Sequence, residues 1–341
     1  GLQGMIDDIM TRVTVDNPPG PAADIDALAG GDRVALSRVI SALESGGKEG
    51  GGLDDSHKAR LQALVDAAPV VPVLGITGTG GAGKSSLTDE IILRFRQDSN
   101  NALRIAVLAI DPTRRRTGGA LLGDRVRMNA IYHPSIYMRS IAPRRSETEV
   151  PACMRDIINA VRVSGFDLVV VETPGIGQGD AGIVPYVNAS LYVMTPEFGA
   201  ASQLEKIDML DYADVVAINK FDRKGADDAL RDVSKQVQRN RTAFDRAYED
   251  MPVFGTIASR FNDDGVTALY QNLLPVLRER GLKTFTSSLA PVTTRTSTRQ
   301  TAIVPPQRQR YLAEIAETVR GYRQHAEQQA VLAREIQQLD S

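Results

Sequence analysis

Apolar residues cluster in short runs, unbroken by any charged residue, at 70–76, 105–110, 168–171, 191–194, 215–218 and 253–257. Unbroken runs of this length suit strands buried on both faces, whereas a half-exposed strand would alternate. Helical patterns separate the runs, so the sequence predicts an α/β fold with a mostly parallel sheet flanked by helices. Such a sheet takes its ligands at the carboxyl ends of its strands. Ahead of the first run, Leu36, Val39, Ile40 and Leu43 recur at helical spacing after a polar Gly31-Asp32 start, and Leu61, Leu64 and Val65 mark a second amphipathic helix. Residues 16–31 are rich in Pro, Gly, Ala and Asp, and Pro18-Pro19-Gly20-Pro21 cannot continue a helix, which reads as a linker. At the other end, 284–301 is crowded with Thr and Ser and reads as an irregular crossing. A long helix follows Pro305-Pro306, with an apolar stripe at Tyr311, Leu312, Ile315, Val319 and Tyr322 that Val331, Leu332, Ile336 and Leu339 extend. The stripe fits either packing on its own domain or a dimerisation arm. The chain is thereby divided into 1–30, a linker or the end of a preceding module; 31–282, the α/β domain with its N-terminal helices; and 283–341, a crossing and C-terminal helical arm or linker.

Composition narrows the function classes. With 42% hydrophobic and 24% charged residues over 341 positions, the chain can bury a sizeable core. Its 40 basic residues balance 42 acidic ones, which gives no global electrostatic case for nucleic acid or an anionic membrane as partner. No apolar run approaches the roughly 20 residues of a membrane span. The start of the chain lacks the basic and apolar regions of a signal peptide. Cys153 is the only cysteine, which excludes an intrachain disulfide and points to a reducing, cytoplasmic setting.

The chemistry is local. Gly78-Thr79-Gly80-Gly81-Ala82-Gly83-Lys84-Ser85 matches G-x-x-x-x-G-K-[ST], placed directly after an apolar run and directly before a helix carrying Leu87, Ile91, Ile92 and Phe95. Glycines let backbone N–H groups wrap phosphates, a lysine neutralises the terminal phosphates and a hydroxyl ligates Mg²⁺. Gly81, Ala82, Gly83, Lys84, Ser85 and Ser86 are therefore the candidate phosphate contacts, with Lys84 the candidate catalytic group. Asn219-Lys220-Phe221-Asp222 follows the run at 215–218, where a base-reading loop would sit. Asp222 can accept two hydrogen bonds from the ring N–H and exocyclic amine of guanine, a pattern adenine does not present, so GTP is favoured over ATP. Glu172-Thr173-Pro174-Gly175 ends the run at 168–171, where a nucleotide hydrolase holds an acidic residue near its metal. Asp111 ends the run at 105–110, and Asp124 follows the Gly-rich stretch 118–123. Mg²⁺ prefers oxygen ligands, and Ser85, Asp111, Asp124 and Glu172 are the candidates, Glu172 acting through water. Arg127 lies three residues past Asp124 and could reach a phosphate oxygen, although these two would more often form a surface ion pair. Arg114, Arg115 and Arg116 would ordinarily be a solvated run, yet their place beside the site allows a transition-state role.

Taken in order, Gly75-Ile76-Thr77-Gly78, Asp111-Pro112, Gly118-Gly119 through Gly123-Asp124, Arg127-Met128, Glu172-Thr173, Gly175-Ile176-Gly177-Gln178 and Asn219-Lys220-Phe221-Asp222 resemble the MeaB/ArgK group. These are P-loop GTPase chaperones of adenosylcobalamin-dependent acyl-CoA mutases. Within the group, Thr113-Arg114-Arg115-Arg116, Glu172-Thr173-Pro174-Gly175 and Thr195-Pro196-Glu197-Phe198-Gly199 through Asp208 look most like the G-domain embedded in fused isobutyryl-CoA mutases. The resemblance implies GTP/GDP and Mg²⁺ as ligands and an adenosylcobalamin-dependent mutase, fused or separate, as partner. Adenosylcobalamin itself would enter only through that partner or the fused domains. It further implies that residues 1–10 are the tail of a cobalamin module, that 305–341 begins the connection to a mutase, and that 196–206 is a third mobile segment. Gln178 is close in sequence to the expected γ-phosphate but is not in the position small GTPases use. Asp55-Ser56-His57-Lys58-Ala59-Arg60 is similar to a cobalt-ligating D-x-H-x-x-G loop, but Arg60 replaces the glycine and no strand precedes it, so His57 reads as helix-start chemistry.

Three other readings compete. A nickel-type metallochaperone GTPase shares the architecture but needs Cys or His clusters, and this chain has one cysteine and three scattered histidines. A small-molecule P-loop kinase need not read guanine, which Asn219 to Asp222 argue for. A non-hydrolysing GTP-binding scaffold has the same binding motifs, because motifs do not report rate.

Overall fold

The computed structural model describes residues 21–45, 53–111, 128–142, 150–175, 180–199, 204–205, 207–298 and 311–339. It divides into two compact units, Gly1–Ser297 and Thr298–Ser341. In the first, helices α1 (Pro21–Leu28), α2 (Arg33–Ser45) and α3 (Asp55–Ala67) precede the first strand. The linker expected over 16–31 is thus helical from Pro21. Proline is tolerated at the first helical position, where its missing N–H would have no partner in any case. Ile25 and Leu28 are fully buried, and their burial gives this short helix its reason to form. Asp54 caps α3 by accepting from the His57 N–H at 2.9 Å, so His57 does stand in the first turn of a helix.

The sheet contains β1 (Val73–Gly78), β2 (Ile105–Ile110), β3 (Ile136–Ile141), β4 (Leu168–Glu172), β5 (Ala189–Met194), β6 (Val215–Asn219) and β7 (Val253–Thr256). Their spatial order is β3-β2-β4-β1-β5-β6-β7, with every pairing parallel. Helices α4 (Lys84–Asp98) and α8 (Asp264–Glu279) cover one face, meeting Leu74, Val107, Val170 and Leu191. On the other face, α1, α2, α3 and α5 (Met154–Val163) lie over β1, β2 and β4. Two further helices, α6 (Met209–Tyr212) and α7 (Ala226–Asn240), lie over β5, β6 and β7. Burial from both sides accounts for the unbroken apolar runs. Because the chain departs from β1 to β2 on one side and later reaches β5 on the other, β1 stands at the switch point. The carboxyl edge around it is where a doubly covered sheet opens a crevice.

Strand β3 was not legible as an apolar run. It is an edge strand, and its Arg139 and Ser140 are half-buried. The Arg139 guanidinium donates to Glu44 Oε2 at 2.8 Å and to Ser41 Oγ at 2.9 Å, both on α2. A charged side chain satisfied in this way can stand in a strand without breaking it.

The crossing after α8 packs on the first unit as far as Ser297. Asp98, at the end of α4, is 1% exposed and accepts from Tyr270 Oη at 2.8 Å, Ser287 Oγ at 2.7 Å, Ser288 N at 2.7 Å and Leu289 N at 3.0 Å. Burial works against the Asp98 carboxylate, but these four donors outweigh it and hold its pKa below the ordinary value. Farther on, Gly255 N donates to Arg295 O at 3.0 Å and Ser297 N to Gly255 O at 2.9 Å, which lays Thr296 against β7 as a parallel bridge. In the second unit, α9 (Tyr311–Leu339) leaves Val319, Tyr322, Val331, Leu332 and Ile336 exposed. No helix among the described residues is long and apolar enough to cross a membrane.

Candidate nucleotide site

The loop between β1 and α4 is built by close backbone contact. Gly78, Gly81 and Gly83 have φ of 145°, 71° and 86°, a region L side chains rarely enter. A Cβ on Gly83 would stand 2.7 Å from Asn219 Nδ2, and one on Gly80 2.8 Å from Gly175 O. The glycines therefore let this loop lie against the ends of β4 and β6. Lys84, 7% exposed, opens α4 and donates to Gly78 O at 2.8 Å and Thr79 O at 3.2 Å. Its Nζ is also close to Gly175, where an added Cβ would meet it at 2.3 Å. The lysine ammonium thus lies between the loop and the turn after β4.

Beside it, Ser85 Oγ donates to Glu172 Oε1 at 2.6 Å. Glu172 ends β4 and Asp111 follows β2; both are buried and both line, with Ser85, a cavity of about 420 Å³. The same cavity is bordered by Gly83, Lys84 and Gly175. Thr173 Oγ1 donates to Thr77 Oγ1 at 2.8 Å inside the sheet, fixing the turn that carries Gly175 against β1. A hydroxyl and two carboxylates, all oxygen donors, fit a hard divalent cation, and the hydroxyl–carboxylate contact suits a glutamate that orients a serine ligand.

The base side is tied to the same loop. Asn219, 3% exposed, donates from Nδ2 to Ala82 O at 2.7 Å. Its Oδ1 accepts from Ala258 N at 3.0 Å and Thr256 Oγ1 at 3.2 Å. Lys220 has φ 58° and sends Nζ to Gly81 O at 2.7 Å. These bonds anchor the turn that presents Asp222 to solvent at the flank of the glycine loop. Glu197, just after β5, pairs with Arg223 at 2.5 Å. Hydrogen bonds from Thr195 and Arg223 hold the Glu197 carboxyl down at about 2.

The structure therefore brings Gly81, Gly83, Lys84, Ser85, Ser86, Asp111 and Glu172 around one cavity, with Ala82 buried in the same loop, Asn219 and Lys220 bonded to that loop and Asp222 on the adjoining turn. Asp124, Arg127, Arg114, Arg115, Arg116 and Gln178 lie outside the described residues, as do 200–203 and 206 of the segment expected over 196–206. The described chain resumes at Met128, which lines the cavity, and Asp89 on α4 pins it by accepting from Asn129 N at 2.9 Å and Ala130 N at 2.7 Å.

Sequence reasoning missed the turn after β7. Three of its amides are committed: Ile257 N to Asp263 Oδ2, Ala258 N to Asn219 Oδ1 and Arg260 N to Ile257 O. Among the described residues, the Ser259 N–H takes no partner and Ser259 is exposed. The signal available was positional: Ser259 follows the end of β7, next to the strand that delivers Asn219.

Residues 36–338 match the family described as methylmalonyl Co-A mutase-associated GTPase MeaB. The fused isobutyryl-CoA mutase of Cupriavidus metallidurans is 59% identical over 339 residues, 99% of this chain. Its counterpart from Nocardia farcinica is 54% identical over 342 residues, 100% of this chain. The chain spans 30% of the first and 31% of the second. A Pyrococcus horikoshii protein named as a GTPase is 31% identical over 252 residues, 73% of this chain and 75% of that one. Among solved structures, a LAO/AO transport system kinase superposes with TM-score 0.52 at 20% identity, covering 77% of this chain and 76% of its own, a likeness of fold. With the family matched over nearly its whole length, the chain belongs to the MeaB group of mutase-associated P-loop GTPases.

Proposed function

We propose that this chain hydrolyses GTP to GDP and phosphate and that its nucleotide state gates the loading or protection of the cobalamin cofactor of an acyl-CoA mutase. The observation that carries the nucleotide reading is the double tie of Asn219 and Lys220 to Ala82 O and Gly81 O, which joins a carboxylate-bearing turn to a phosphate-wrapping loop. Asp222 accepts from the ring N–H and exocyclic amine of guanine, and the Ser259 N–H donates to its carbonyl oxygen. Adenine offers an amine where that carbonyl stands, so both contacts select against it. The loop amides and Lys84 Nζ neutralise charge on the β- and γ-phosphates as a water oxygen bonds to the γ-phosphorus and the bond to the β–γ bridging oxygen breaks. That oxygen leaves with its electron pair on GDP, and the water's protons pass to the phosphate product and solvent. Ser85, Asp111 and Glu172 are the residues that would hold Mg²⁺, which would supply positive charge to offset that of the phosphates. The mutase as partner rests on the family's description and on the names of the fused relatives.

The test is phosphate release from GTP and from ATP with Mg²⁺, with and without an adenosylcobalamin-dependent acyl-CoA mutase. GTP-selective turnover raised by the mutase is the expected result. Tight GTP binding with no turnover under either condition would replace the hydrolase with a scaffold. Asp222→Asn removes a charged acceptor, and GTP affinity is expected to fall about 10- to 100-fold with little change for ATP. Equal GTP-to-ATP ratios in variant and wild type would remove Asp222 from base reading.

A further inference from the structure

Asp263 connects four parts of the first unit that the nucleotide reading treats separately. It is 1% exposed and is the N-cap of α8, accepting from Val266 N at 3.0 Å. The same oxygen, Oδ2, accepts from Ile257 N at 3.2 Å, at the entry of the turn that carries Ser259. It takes a third donor, Ser297 Oγ, at 2.7 Å. The Asp263 carbonyl accepts from Arg94 Nη2 at 2.9 Å, and Arg94 Nε donates to Thr267 Oγ1 at 3.0 Å, so α4, which opens with Lys84, is braced on the same point. The other carboxylate oxygen faces Arg260 Nη1 at 3.9 Å.

Ser297 is the last residue of the first unit. It reaches Asp263 because residues 295–297 bond to both sides of Gly255 in β7. The approach is close: a Cβ on Gly265 would be 2.7 Å from Ser297 Oγ and 2.2 Å from Gly255 O. The Asp263 carboxylate pays for this position in solvation, since burial raises its pKa against three hydrogen bonds that lower it. A costly buried acceptor whose donors come from a cap, a ligand-facing turn and an outgoing segment has a geometry set by all three.

We propose that Asp263 is a positioning residue for guanine selectivity and that Ser297 sets its alignment, so that the segment leading to residue 298 acts on the base end of the nucleotide site. The inference rests on the guanine reading proposed above. Tension or displacement in 295–297 shifts the shared Oδ2, and with it Ile257 N and the Ser259 amide two residues on. The phosphate loop has bonds of its own from Asn219 Nδ2 to Ala82 O and from Lys220 Nζ to Gly81 O, so the effect is expected to be larger at the base end than at the phosphate end.

The experiment is equilibrium binding of GTP and of ATP to the full chain, as wild type, Ser297→Ala and Asp263→Ala, with thermal melting alongside. For Ser297→Ala, GTP affinity is expected to fall about three- to tenfold while ATP affinity stays within about twofold. Asp263→Ala should move the ratio further in the same direction, and if it fails to fold, Ser297→Ala alone decides. Equal weakening of both nucleotides would mark a purely structural contact and overturn the inference, as would an unchanged ratio in a wild type that prefers GTP. A wild-type chain with no preference for GTP would instead overturn the guanine reading itself.

Discussion

Replacing Lys84 with alanine is expected to reduce GTP turnover by at least about a thousandfold, the order lost when a group that stabilises transferring phosphoryl charge is removed. The ammonium is buried, is held by Gly78 O and Thr79 O, and stands against Gly175. No other described lysine or arginine lines the cavity, so among the described residues nothing else supplies that charge from within. Single-turnover phosphate release with saturating GTP would check this, with melting temperature as the control for folding. Turnover near that of the wild type would sink the role assigned to Lys84. Lys84→Arg should not rescue, because the larger guanidinium would have to fit where the Gly175 backbone already crowds Nζ.

The largest expected effect on stability belongs to Gly78→Ala. The added Cβ would meet Val193 O at 1.8 Å and Val193 C at 2.7 Å, at the end of a strand pairing, with φ of 145°. Neither atom is the tip of a flexible side chain, so β1 and β5 must separate locally. The cost is expected to be about 3 kcal/mol or more. In a unit of this size that lowers the melting temperature by roughly 5–10 °C. Gly81, also at positive φ but with open space around its missing Cβ, is the comparison: Gly81→Ala should cost only the backbone strain. Equal melting temperatures for the two variants would refute the steric account.

What the sequence made legible was whatever rests on unbroken patterns. Six of the seven strands announced themselves because both of their faces are covered, and the glycine loop did because its chemistry tolerates few substitutes. Strand β3 was hidden by Arg139, whose partners on α2 come from about 100 residues away in the chain. Helix α1 was hidden by proline and glycine neighbours, since its burial comes from tertiary packing and not from its own composition. The turn at 257–260 was overlooked because its contribution is a backbone amide, which any residue type could supply. Asp263 is legible locally only as a helix cap to Val266; the fold alone brings Ile257 and Ser297 to the same oxygen.

The anchoring of 287–289 on Asp98 bears on where this protein can be cut. A boundary drawn from sequence after residue 282 would remove Ser287, Ser288 and Leu289, leaving a carboxylate at the end of α4 with Tyr270 as its remaining donor among those described. Each lost donor to a buried acceptor costs about 1–3 kcal/mol unless water replaces it. A shortened chain ending there would open the α4–α8 face to solvent, and poor yield from it would say nothing about whether the GTPase unit folds by itself. Expression trials of the unit alone should keep everything through Ser297, so that both polar latches leave with the domain they close.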